Sequence, residues 1–245
     1  MELDYLKGKN ILELILEFPT FDWLLREGDD ITSGVKLDTI NFVYYERVKP
    51  RREIDMYVPV DVSSTLSRNG LSFIETEKER GIGLISKVKI KHPYDESKIF
   101  AHIPMIDFDM HENYGFLEEK GVVDLIKQKT IETTELNSGV ILRSGPKRNY
   151  HFIGIGNLLS EEDFVTFIGL SLKMKYKTRD GKSLILVDSW HMGNALTAMK
   201  YMAEVEKSRN PSISWSRYGF PQRFSTLRVN PKMGYNDYPR VVEYF

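Results

Sequence analysis

The 245-residue chain contains no cysteine. That absence removes disulfides, thiolate zinc centres and cysteine nucleophiles, and it suits a reducing compartment. Excess charge of one sign is missing too. The 34 Lys and Arg residues nearly balance 35 Asp and Glu, for a formal net charge of −1. Any contact with a polyanion must therefore come from a local patch and not from bulk charge. No apolar run approaches the length that spans a bilayer. The opening stretch MELDYLKGKNILELILEF mixes acids with apolar residues and lacks the basic start and clean apolar centre of a signal peptide. Internal repeats, low-complexity tracts, Pro/Gly/Ser-rich linkers and a P-loop are absent as well. The expectation is an intracellular chain, cytoplasmic or nucleoid-associated, without membrane contact.

What is present is ample core material: 41% of residues are hydrophobic and 12% aromatic. Length and composition suit one domain over residues 1–245. Residues 1–27 show helical spacing, with a break at Pro19. TINFVYYERV and EIDMYVPVDV read as strands around the basic turn KPRR, where Lys49, Arg51 or Arg52 is either solvated or a phosphate contact. GIGLISKVKIKH reads as one strand and KIFAHIPMIDFD as a stronger one. Residues 117–136 form a predicted helix, and GVILRSGPKRNYHFIGIG a hairpin around Gly-Pro. SEEDFVTFIGLSLKM opens with a capping-box-like Ser160 and Asp163, and KSLILVD is a short buried strand. SWHMGNALTAMKYMAEVEK is an amphipathic helix whose methionines suit core packing. FSTLRVNPKMGYNDYPRVVEYF is expected to close the chain as another hairpin. The sum is an α+β fold of mainly antiparallel sheets with packed helices.

Three groups of residues carry chemistry. In MIDFD, strand alternation puts Asp107 and Asp109 on one face about 7 Å apart, with Ile106 and Phe108 on the other. Paired carboxylates repel unless a cation lies between them, and oxygen donors of this kind suit Mg²⁺ or Mn²⁺. An Asp-x-Asp pair on an exposed strand end is the alternative. Asp188 ends LILVD and is either a third ligand or a helix N-cap. LRSGPKRNYHF gathers Ser144, Lys147, Arg148 and His151 around a tight turn, as a phosphate cradle or a charged surface hairpin. In STLRVNPK, Arg228 stands mid-strand opposite Leu227 and Val229, with Lys232 beyond.

Taken in order, MIDFD, the SGPKRNYHFIG segment, ILVD and STLRVNPK resemble the catalytic core of the archaeo-eukaryotic primase superfamily, which includes primase-polymerases. The resemblance covers roughly residues 100–232, and residues 1–100 form an α/β part with no transferable motif. It implies an RRM-like core and template-dependent nucleotidyl transfer with Mg²⁺ or Mn²⁺. Asp107, Asp109 and Asp188 would be the metal-binding catalytic acids. Ser144, Lys147, Arg148, His151, Arg228 and Lys232 would hold the nucleotide. Nucleoside triphosphates and a single-stranded DNA template are the implied partners, with a helicase or accessory protein possible. Ser144 and His151 stand further apart than the family's small-x-His pattern, and the zinc cysteines of cellular primases are missing. A metal-dependent nuclease or phosphodiesterase, and a catalytically inactive primase-like binding subunit, are the competing readings.

Overall fold

The computed structural model describes residues 3–11, 13–14, 36–45, 54–61, 80–92, 95–110, 117–145, 149–178, 180–189, 192–193, 195, 225–231 and 236–245. The described chain is α+β, with mostly antiparallel sheets and few helices. KPRR, most of the amino-terminal helical segment and most of the methionine-rich helix lie outside the described residues.

A six-stranded sheet is built around β1 (Lys36–Tyr45). One edge of β1 pairs with β2 (Ile54–Asp61). The other meets β3 (Gly81–Ile85) and β4 (Lys87–His92) in succession. The single strand expected over 81–92 is therefore split at Ser86. Beyond the split, β4 pairs with β5 (Asp95–His102), whereas β3 pairs with β11 (Thr226–Arg228). Ser86 sits where these strands part, and its backbone bonds Ser225 and Ile103. Two different partners on one edge explain why an unbroken apolar pattern does not give an unbroken strand.

A four-stranded antiparallel sheet runs in the order β12 (Arg240–Tyr244), β7 (Gly139–Arg143), β8 (Asn149–Gly154), β6 (Met105–Asp109). The hairpin β7–β8 forms as the Gly-Pro turn predicts. The closing hairpin does not form. β11 joins the six-stranded sheet and β12 joins the four-stranded one. Both segments have strand character, but each is needed by a different sheet edge. The chain start also reaches β12: Gly8 and Ile11 donate to the carbonyls of Val241 and Pro239. Asn10 and Glu13 there satisfy each other's backbone N–H groups, at 2.8 and 2.7 Å.

One core cluster lies between the sheets, uniting Phe42, Leu84 and Leu227 with Met105, Leu142 and Ile153. A second lies on the far face of the four-stranded sheet. There Ile106, Phe108 and Phe152 pack against α1 (Glu119–Thr134) and α2 (Glu161–Ser171) through Val122, Ile126, Phe164 and Ile168. Ser160 caps α2, its side chain accepting from the backbone N–H of Asp163. A short pair, β9 (Lys175–Lys177) and β10 (Ser183–Ile185), follows. Among the described residues no helix is long and apolar enough to cross a membrane.

Candidate functional site

The alternation of MIDFD is realised in β6. Ile106 and Phe108 are fully buried toward the helices, while Asp107 and Asp109 are only partly covered. Pairing with β8 places His151 opposite Asp107 and Asn149 opposite Asp109. Directly paired residues share a face, so both carboxylates and the imidazole project from the same side of the sheet. His151 Nε2 lies 3.7 Å from Asp107 Oδ1, with side-chain exposures of 6% and 20%. The imidazole is thus buried and the carboxylate half-open.

Asp188 arrives from the other edge of β6. Phe108 forms an antiparallel bridge with Val187, and the Asp188 N–H donates to the Asp107 carbonyl at 2.8 Å. That register sets Asp188 beside Asp107. The same residue holds the N-cap position of a helical turn, because its carbonyl accepts from Met192 N–H at 2.9 Å. Capping and adjacency to Asp107 are therefore both features of this residue.

Ser144 directly follows β7 and is buried, its N–H bonded to the Asn149 carbonyl at 2.8 Å. Arg228 of β11 reaches across from the other sheet, and its guanidinium donates to the Ser144 carbonyl. Its Nη2 comes within 3.9 Å of where a side chain at Gly145 would begin. A Cβ there would make only ordinary van der Waals contact with the guanidinium, so the arginine lies close over the turn. Leu227 and Val229 are buried as the strand pattern predicts. Structure thereby gathers Asp107, Asp109, Asp188, His151, Ser144 and Arg228 around one end of the β6–β8–β7 ladder. Lys147, Arg148 and Lys232 lie outside the described residues.

The acids offer hard oxygen donors on a shared strand end, the donor chemistry that Mg²⁺ or Mn²⁺ takes. Among the described residues no group of three His, Asp or Glu is close enough together to hold an ion as the side chains stand. The chemistry of the donor set, carboxylate oxygens, suits such a cation.

A second polar cluster went unnoticed in the sequence. His102, at the end of β5, is fully buried and stacks on Phe164 at 4.0 Å. Its Nδ1 lies 3.3 Å from Ser86 Oγ and its Nε2 3.0 Å from Glu161 Oε2, which also takes Lys87 Nζ at 2.7 Å. Burial pushes the imidazole pKa down to about 4, against the opposing pull of Glu161. Burial raises Glu161, but its bonds to Lys87 and His102 outweigh that and leave it lowered. Serine, histidine and glutamate in this order have the connectivity of a hydrolytic triad. The chemistry does not follow. Ser86 is fully buried, and its oxygen accepts the Ser225 N–H at 2.9 Å. The cluster is a joint: it ties the strand leading to β6, the approach to β11 and the start of α2. Its members come from the β3–β4 junction, the end of β5 and the start of α2, so no local spacing reveals it.

The chain matches no protein-family model, no curated protein and no solved structure.

Proposed function

We propose that the carboxylate end of β6 is the active centre of a primase-type nucleotidyltransferase that makes or extends primers on a single-stranded DNA template. The observation that carries this reading is the placement of Asp188 beside Asp107, on the strand that also presents Asp109 and faces His151. Asp188 pairs beside Asp107 across the free edge of β6, and Asp109 lies two residues further along the same face, in the order that the primase resemblance expects.

Asp107, Asp109 and Asp188 would hold Mg²⁺ or Mn²⁺. The bound metal would activate a primer 3′-hydroxyl and offset charge on the departing pyrophosphate. His151 can donate to a phosphate oxygen next to Asp107, and Arg228 supplies fixed positive charge over the Ser144–Gly145 turn. Neither role needs a nucleophilic side chain, in keeping with a chain that has no cysteine.

Primer extension on a single-stranded template, with Mg²⁺ or Mn²⁺ and labelled nucleotides, tests the reading. The expected result is product from the native chain and a loss of at least about 100-fold in Asp109→Asn, with unchanged circular dichroism. Strand degradation without added nucleotides would assign the acids to a nuclease instead. Oligonucleotide binding with neither activity would make the chain a non-catalytic primase-like subunit.

A further inference from the structure

The six-stranded sheet has a second feature that the carboxylate site does not use. In β4, Val88 is buried and Ile90 packs on the core between the sheets. Alternation therefore sends Lys87, Lys89 and Lys91 to the opposite face. Across the ladder, Lys89 pairs with Phe100 and Lys91 with Lys98, while Lys91 also pairs with Lys36 of β1. Lysine positions thus line up both along β4 and across three strands.

In the middle of this row stands Phe100, 43% exposed. It is one of few large apolar side chains left in solvent among the described residues. The ammonium groups of Lys87 and Lys89 lie 5.2 and 5.5 Å from its ring centroid. Lys87 is anchored by Glu161, and Lys91 is exposed. The combination is a partly exposed ring with two ammonium groups over it, in a row of lysine positions about 7 Å apart along the strand.

We infer that this β4–β5 face binds single-stranded nucleic acid, with Phe100 stacking on a base and Lys89 and Lys91 contacting successive phosphates. Stacking needs an unpaired base with its face available, which a duplex does not offer. The lysines give the charge complementarity, in a chain whose overall charge provides none. The inference deepens the nucleotidyl-transfer reading, resting on it for the use of a template strand, but its support is this surface alone.

Fluorescence anisotropy with a labelled oligothymidylate, without nucleotides or divalent metal, tests it directly. The native chain is expected to bind. Phe100→Ala should weaken binding about 5-fold to 150-fold, the range for one lost stacking contact. The double change Lys89→Gln, Lys91→Gln should flatten the dependence of log affinity on log salt by about 1.4, at roughly 0.7 per phosphate contact on a single strand. Both sets alter exposed or half-exposed positions, and thermal melting will verify that they fold. Absence of native binding overturns the inference, as does an affinity that neither variant changes. Binding to heparin that matches the oligonucleotide and ignores Phe100→Ala would show charge attraction only and also overturn it. Oligonucleotide binding lost in these variants, with no primer extension by the native chain, would sink the polymerase reading and leave the surface standing. Extension by a chain whose variants bind normally would do the reverse.

Discussion

Burial holds the His102 imidazole well below its ordinary pKa, and its position makes acid a probe of the joint between the sheets. Its pKa of about 4 in the folded chain lies below the unfolded value of 6.5. Between those values the unfolded chain binds a proton that the folded chain refuses, so stability rises with pH there. The contribution is complete above pH 6.5 and is lost as pH falls toward 4. It amounts to about 3 kcal/mol, at about 1.4 kcal/mol per pH unit. Glu161, with its pKa lowered, acts in the same direction at lower pH. Thermal melts from pH 7 to pH 4.5 should show this acid loss in the native chain. His102→Gln keeps hydrogen-bonding capacity without titrating, so its melts should depend less on pH. Parallel curves would remove His102 as the source. The contrast with the carboxylates is instructive. The side-by-side placement of Asp107 and Asp109 was legible because it depends only on strand alternation. The burial of His102 was not, since it depends on α2 folding over the end of β5.

At the scale of elements, most strands and helices follow from local pattern. Ser160 marks the start of α2, the Gly-Pro turn marks β7–β8, and the predicted helix over 117–136 becomes α1. Gly139 shows a finer constraint. A methyl group there would overlap the Phe152 ring and sit 2.7 Å from the Ile153 carbonyl oxygen. Neither neighbour can move freely, because both belong to the ladder that carries His151. Gly139→Ala should therefore destabilise the chain by about 1–3 kcal/mol, read from denaturant unfolding. A neutral result would mean that the β7–β8 ladder is looser than its packing indicates. Where element-level reading failed, the cause was pairing. The strand expected over 81–92 split at Ser86, and the hairpin expected at the carboxyl end was divided between two sheets. Strand propensity says that a segment will be extended and not which edge it will join.

For the whole molecule, the shared core between the sheets has a consequence for cooperativity. Leu84 belongs to the six-stranded sheet and Leu142 to the four-stranded one, yet both are buried in the same cluster. Leu84→Ala and Leu142→Ala should each cost about 2–5 kcal/mol. Each should shift one common unfolding transition, seen alike by far-ultraviolet and near-ultraviolet circular dichroism. Two separable transitions, each sensitive to one substitution, would contradict a common core. The same packing bears on the candidate site, because Arg228 comes from one sheet and Ser144 from the other. Loosening the core should therefore disturb that end of the ladder before the strands themselves unfold.

The sequence by itself determined the α+β character, the helices on one face of a sheet and the exposure of Asp107 and Asp109 opposite Ile106 and Phe108. These follow from periodicity and capping, which act over a few residues. Tertiary structure alone decided that Asp188 lies against Asp107, that β11 and β12 serve different sheets, that Arg228 reaches Ser144 and that His102 is sealed beside Glu161. Each of those depends on backbone pairing or core closure between segments far apart in the chain. The stabilisation comes only when both partners are already in place, so neither partner's local sequence records it.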